Sequence, residues 1–164
     1  MLFCGINPGL LSAARGQHFA RPGNRFWPAL HRSGFTETQL PPADQHRLAV
    51  SGLGITNLVA RPSARAQELG REELRAGGER LVELAEATGA TWVAILGVTA
   101  YRTAFDRPKA LIGRQPTMLG SSRLWVLPNP SGLNAHWTLP ALTEEFARLR
   151  AAATSTTTTR TPPQ

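Results

Sequence analysis

Two loops of the chain join asparagine to proline and glycine directly after an apolar run. They are Gly5-Ile6-Asn7-Pro8-Gly9, near the start, and Asn129-Pro130-Ser131-Gly132-Leu133-Asn134, after Trp125-Val126-Leu127. An amide side chain can hold a water or a polar ligand, but it takes up no proton at neutral pH. Chemistry at these loops would therefore depend on positioning a reactant.

Other reactive side chains are scarce, and this excludes several kinds of site. Cys4 is the single cysteine, so there is no intramolecular disulfide, and one cysteine with four scattered histidines gives no ligand set for zinc or an iron–sulfur cluster. Asp44 and Asp106 are the only aspartates that could act as a base. We expect a protein without metal or other cofactor.

The charge is strongly positive. Eighteen Lys and Arg residues against eleven Asp and Glu give a net charge of +7, and all the cations but Lys109 are arginines. This excess predicts an anionic partner such as nucleic acid, although an arginine-rich coding bias would also produce it. We see no signal peptide and no apolar run of the roughly 20 residues that cross a bilayer, so we expect a cytoplasmic protein with no membrane partner.

Apolar runs alternate with amphipathic stretches along the chain. We predict strands at 2–6, 53–59, 91–96 and 123–127, helices at 24–32, 72–87, 97–105 and 139–152, a long loop at 10–24 and short helical pieces within 35–52. This order predicts an α/β domain over residues 1–152, with a parallel sheet between helices, and a disordered Thr/Pro-rich tail at 153–164. Such sheets bind ligands beyond the carboxyl ends of their strands, where Asn7 and Asn129 lie.

Both asparagine loops resemble the two signature motifs of the mismatch-specific uracil-DNA and thymine-DNA glycosylase family, within the uracil-DNA glycosylase superfamily. Further similar segments follow in the family's order at 19–27, 54–62, 94–97 and 125–128, so the resemblance spans about residues 2–150. It implies a three-layer α/β/α fold with a short, mostly parallel central sheet. It also implies a monomeric glycosylase of base excision repair that hydrolyses the N-glycosidic bond of uracil opposite guanine in double-stranded DNA, with ethenocytosine or thymine as other candidate bases.

The resemblance assigns roles to residues that would surround the base. It implies that Asn7 positions the attacking water, that Phe19 stacks on the flipped base, and that backbone groups around Ile6 and Phe19 read the uracil edge. Asn57 would tune base choice, or is simply a polar residue at a strand end. Asn24 would shape the pocket, or caps a helix.

A second set of residues would contact the duplex. Leu133 resembles the family's wedge, which fills the gap left by the flipped base, and backbone groups of Gly132 and Asn134 would bond the unpaired guanine. Where relatives often carry an arginine two residues after the wedge, this chain has Ala135, and His136 is the candidate substitute. The remaining candidates for DNA contact have turn chemistry or solvation as the alternative: Asn129, Ser131, Ser12, Arg15, Arg21, Arg25 and Arg61.

Two other functions are also compatible with the sequence. A lesion sensor of the same fold would flip mismatched bases without cutting. A nucleotide-binding α/β protein is a third possibility, but the chain has neither G-x-G-x-x-G nor a phosphate-loop lysine.

Overall fold

A computed structural model describes residues 1–157 of the chain. Its centre is a five-stranded sheet in the order β2-β1-β3-β5-β4. The strands are β1 (Leu2–Gly5), β2 (Gly54–Asn57), β3 (Trp92–Leu96), β4 (Gly113–Arg114) and β5 (Arg123–Leu127). All neighbouring strands are parallel except β4, which runs antiparallel to β5. The four predicted strands are confirmed, and β4 lies in a stretch predicted to be irregular.

Five helices and two 3-10 segments connect the strands. They are α1 (Leu10–Arg15), α2 (Phe26–Arg32), α3 (Arg71–Thr88), α4 (Val98–Ala104) and α5 (Leu139–Thr157), with 3-10 turns at Pro42–Ser51 and Ala66–Glu68. The long loop predicted at 10–24 is wrong in its first part. Residues 10–15 form a helical turn and a half that ends where Gly16 takes the left-handed conformation, with φ of 61°.

The final helix is longer than predicted. It continues to Thr157 rather than ending at Ala152, so the start of the predicted tail is helical. Residues 158–164 of that predicted tail lie outside the described part of the chain. In residues 1–157 no helix is long and apolar enough to cross a membrane.

The two faces of the sheet bury two separate apolar clusters. Successive residues of a strand point to opposite faces, so Cys4 packs into the cluster below α3 and α4, whereas Phe3 packs into the cluster formed with α2 and α5. Every residue of β1 and β3 is buried. This is the predicted three-layer α/β/α arrangement.

The same topology determines where polar groups gather. Because β1, β2, β3 and β5 are parallel, their carboxyl ends open on one edge of the sheet. Asn7 follows β1, Asn57 ends β2, Gly97 follows β3, and the loop containing Leu133 follows β5. The candidate site lies at this edge.

Candidate active site

Asn7 is held by both hydrogens of its side-chain amide. Its Nδ2 donates to the backbone oxygen of Arg61 at 2.9 Å and to Oγ of Ser63 at 2.7 Å. Those two bonds use the full donor capacity of the amide. The Oδ1 atom accepts no hydrogen bond from any residue in 1–157 and is not a buried unsatisfied atom. It is therefore oriented and available to accept a hydrogen bond from a water.

Ser63 links the loop after β2 to the loop after β1. It is buried, its amide donates to the Pro8 oxygen at 3.2 Å, and its hydroxyl donates to the Arg65 oxygen at 2.8 Å while accepting from Asn7. The sequence indicates an Arg-rich connector here and gives no sign of this serine. Its partner lies 56 positions away in the chain.

Arg61 contributes its backbone to the site and its side chain to an ion pair. Its Nε and Nη2 atoms lie 2.8 and 2.9 Å from the two carboxylate oxygens of Glu73. These bonds, followed by one from the Gly70 amide, lower the pKa of Glu73 to about 2. The predicted phosphate contact by Arg61 is not supported, because this bidentate pair occupies its guanidinium.

Phe19 has a backbone conformation that is rare for an aromatic residue. Its φ is 53°, in the left-handed region. Such a conformation costs on the order of 1–3 kcal/mol and persists only where the surroundings enforce it. The ring packs on Phe26 with centroids 4.3 Å apart.

Hydrogen bonds of the residues on either side of Phe19 hold its backbone in this conformation. The His18 amide donates to Gln45 at 2.7 Å, the His18 oxygen accepts from the Trp27 indole at 3.0 Å, and the Ala20 amide donates to Oγ of Ser12 at 3.0 Å. Burial lowers the pKa of His18. Phe19 is thus presented by a rigid turn.

Ser12 differs from its predicted role. The sequence makes it a candidate phosphate clamp, but it is buried and its oxygen bonds the Ala20 amide. This is the turn chemistry of the alternative interpretation. Ser12 acts on the site through the position of Phe19.

Asn57 and Phe19 meet above Gly5. A Cβ atom added at Gly5 would lie 2.7 Å from Oδ1 of Asn57 and 3.2 Å from Cζ of Phe19, so only glycine leaves room for both side chains. The Asn57 side chain makes no hydrogen bond within the described chain. Gly5, Phe19 and Asn57 thus meet at the end of β1, two residues before Asn7, and this meeting point is called the recess below.

Ile6 is fixed through its side chain and its carbonyl. Its side chain points at Gly97, where an added Cβ would lie 3.0 Å from Cδ1 of Ile6. Its carbonyl accepts from the Val59 amide at 3.0 Å. That bond fixes the strand end that carries Asn7.

The loop around Leu133 is stabilised by its own side chains. Oδ1 of Asn129 accepts from the Ser131 amide at 3.0 Å, Oγ of Ser131 accepts from the Leu133 amide at 3.2 Å, and Nδ2 of Asn134 donates to the Asn129 oxygen at 3.0 Å. His136 is exposed, and its amide donates to Oδ1 of Asn134 at 3.2 Å. Leu133 is 69% exposed at the tip of this bonded loop. Its apolar side chain is therefore accessible to a partner at the tip of the loop.

Arg25 joins that loop to the start of α2. Its amide donates to the Pro130 oxygen at 2.9 Å, and its Nη1 donates to the carbonyls of both Asn134 and Trp137. This nitrogen of Arg25 braces the Leu133 loop, and the phosphate contact of its guanidinium stays a prediction.

A narrow cleft of about 210 Å³ separates the Leu133 loop from the segment before α2. Gly132 lies so close to this segment that a Cβ there would be 2.6 Å from the Gly23 oxygen. Asn24 lines the cleft, and its Oδ1 accepts from the Phe26 amide at 2.9 Å. It precedes the N-cap residue of α2, which is Arg25 and not Asn24 as predicted. The exposed Arg21 also lines the cleft, and its side chain forms no hydrogen bond or ion pair within residues 1–157. Its contact with a phosphate stays a prediction.

Neither of the two aspartates forms a hydrogen bond with Asn7. Asp44 lies 3.7 Å from Arg47 within its own 3-10 segment, and Asp106 is exposed after α4. Cys4 is buried, which raises the pKa of its thiol well above the ordinary value. Across the described residues no group of three His, Cys, Asp or Glu side chains could hold a metal ion.

One comparison with known proteins covers nearly the whole chain. The family model described as the uracil DNA glycosylase superfamily matches residues 1–153. The matched region contains all five strands, the Asn7 loop and the Leu133 loop.

Proposed function

Because the chain belongs to the uracil DNA glycosylase superfamily, we propose that it is a monofunctional glycosylase that removes uracil from G·U mismatches in double-stranded DNA. Superfamily members hydrolyse N-glycosyl bonds in DNA during base excision repair. Ethenocytosine and thymine are the other candidate bases, and the protein acts as a monomer. The observation that carries the proposal is Asn7, whose amide hydrogens are both bonded while its oxygen remains available beside the recess.

Extraction of the base comes first. A base in a duplex is unreactive until it leaves the stack, and a mismatched base costs least to extract. The exposed Leu133, held by a self-bonded loop, enters the vacated position, since apolar side chains can wedge between base steps. Gly132 beside it presents its backbone to the unpaired guanine. The predicted contact by the Asn134 backbone is corrected, because its amide donates to the Ser131 oxygen at 3.0 Å and its carbonyl accepts from Arg25.

Recognition of the base takes place on the recess floor. The extruded uracil stacks on Phe19, whose ring is already fixed by Phe26 and by its rigid turn. Asn57 has an unused donor and an unused acceptor, and both are required to pair with the polar edge of a pyrimidine. Backbone groups around Ile6 and Phe19 complete the reading of that edge.

Hydrolysis then requires a water close to C1′ of the sugar. Oδ1 of Asn7 holds it, the bond between C1′ and N1 breaks with its electron pair leaving on uracil, and the water oxygen bonds to C1′ and loses a proton to solvent. Fixed donors around the base stabilise the charge that develops on it. Since the amide takes up no proton, the gain comes from positioning, and we expect slow turnover.

Single-turnover base release on a G·U duplex tests the proposal. Asn7→Ala should lower the rate by at least about 100-fold, since misplacing a reactant costs about that much, with little change in duplex affinity. Gln67→Ala, which changes an exposed amide outside the site, is the matched control. Release from A·U pairs and from single strands measures the preference for a mismatch.

Two results would contradict the proposal. A native protein that releases no base from any uracil-containing duplex is not a glycosylase, and if it still prefers mismatched duplexes it is the lesion sensor instead. An Asn7→Ala protein with the native rate would remove Asn7 from the mechanism.

A further inference from the structure

Trp137 differs from the other three tryptophans of the chain. Trp27, Trp92 and Trp125 are 4%, 2% and 7% exposed and belong to the cluster below α2 and α5. Trp137 is partly exposed, and within residues 1–157 its ring packs into neither apolar cluster and pairs with no other aromatic ring. Its indole N–H donates to no described residue. The ring and its N–H are therefore available to a partner outside the molecule.

The position of Trp137 identifies that partner. A single nitrogen of Arg25 donates to the carbonyls of both Asn134 and Trp137, so these two residues lie side by side on the loop that presents Leu133. Helix α5 begins shortly afterwards at Leu139 and fixes the other end of the segment. Trp137 is thus held on a rigid surface continuous with the exposed wedge.

We propose that Trp137 contacts the duplex next to the wedge and stacks on the nucleotide that flanks the flipped base. The proposal rests on the proposed function, since it takes duplex DNA to lie against the Leu133 loop. An indole suits this contact, because its face stacks on any base and its N–H can donate to a groove or phosphate acceptor. This contact does not depend on the DNA sequence, and it adds binding affinity that a single leucine does not provide.

Intrinsic fluorescence gives a direct test, because only one tryptophan is accessible. Acrylamide should quench the Trp137 component of the free protein, and Trp137→Phe should remove that component while the buried emission persists. The ligand is a duplex with 2′-fluoro-2′-deoxyuridine opposite guanine, whose fluorine destabilises the oxocarbenium-like state and so prevents turnover. Saturating duplex should shield Trp137 from acrylamide.

Affinity gives the second readout, by anisotropy of the same labelled duplex. Trp137→Ala should bind about tenfold more weakly, whereas Trp137→Phe keeps a stacking ring and should stay within about threefold of the native affinity. Leu111→Ala, at a 73% exposed leucine preceding β4, is the control and should bind as the native protein does. Unchanged thermal unfolding of the Ala variant confirms that it is folded.

The outcomes separate this proposal from the function itself. If Trp137 stays fully quenchable when anisotropy shows saturation, or if Trp137→Ala binds with native affinity, the contact does not exist, while release of uracil by the native protein leaves the glycosylase function intact. If the native protein releases no uracil, the proposed function fails, whatever Trp137 reports.

Discussion

Replacing Ser63 by alanine should slow base release without weakening DNA binding. The change removes one of the two acceptors that orient the Asn7 amide and leaves only the Arg61 carbonyl. The side chain of Asn7 can then rotate about the remaining bond, and its oxygen should spend less time in the orientation that the proposed mechanism requires. Ser63 is buried below this amide, so it acts through Asn7 and touches no DNA.

The size of the effect follows from the bond that is removed. A typical hydrogen bond contributes a net ~1 kcal/mol, which corresponds to about a fivefold lower single-turnover rate. The variant also lacks the bond from Ser63 to the Arg65 oxygen. Separately from the effect on rate, we expect this loss to lower the free energy of unfolding by ~1 kcal/mol. Both effects are small enough to leave a folded enzyme for assay at 25 °C.

The assay compares rate and affinity in three proteins. Single-turnover release from a G·U duplex at saturating enzyme gives the rate, and anisotropy with the fluorinated duplex gives Kd. Ser63→Ala should be about fivefold slower at unchanged Kd. Ser63→Thr, which keeps a hydroxyl, should recover most of the rate.

Two results would refute the role of Ser63. If Ser63→Ala keeps the native rate while Asn7→Ala loses activity, the Asn7 amide does not depend on Ser63 for its orientation. If Kd rises in proportion to the fall in rate, the serine supports the DNA-binding surface in general and does not position Asn7.

Four further changes test other parts of the structure. Arg21→Gln should lower the salt dependence of duplex binding by about one unit of slope while single-turnover release is kept. Arg25→Gln should instead lower the rate of base release, because it frees the Leu133 loop. If Arg25→Gln and Arg21→Gln change the salt dependence of duplex binding equally, this difference in role is contradicted. Gly132→Ala places a Cβ 2.6 Å from a facing carbonyl and should displace the wedge and weaken duplex affinity, whereas Gly9→Ala meets nothing within 4 Å and should not. Glu73 has a pKa lowered from 4.5 to about 2, so its ion pair stabilises the fold above pH 4.5 and is lost as pH falls toward 2. The free energy of unfolding measured with urea should therefore be lower for Glu73→Gln than for the native protein at pH 7. The two values should converge near pH 2.

The fold could be predicted where the chain repeats a strong local pattern. Continuous apolar runs indicate the four parallel strands, and helical spacing ended by Gly89 indicates α3 nearly to the residue. Strand β4 was not predicted, because two residues, Gly113 and Arg114, carry no periodicity. It forms by pairing with the open edge of β5. Helix α1 was not predicted, because Gly16 and the polar residues after it suggest a loop.

The site could be predicted only as far as chemistry is local in sequence. Asn7 and Leu133 stand in motifs whose composition indicates a turn at a strand end. Ser63 and Gln45 act on Asn7 and on the Phe19 turn from 56 and 27 positions away, and a lone polar residue in a connector carries no sign of such a partner. The strained φ of Phe19 is likewise a product of the assembled fold.

The arginines show why residue type alone is a poor guide to DNA contacts. Four are candidates because they lie near the two loops, yet Arg25 and Arg61 direct their guanidiniums to backbone carbonyls and to a carboxylate. Of these four, only Arg15 and Arg21 are exposed and without a partner in the described chain. Each phosphate contact that is not made lowers the magnitude of the salt slope by about 0.9, so we expect the loops to carry more of the affinity than the net charge of +7 suggests. Duplex binding should therefore be only moderately sensitive to salt and strongly sensitive to the shape of the Leu133 loop.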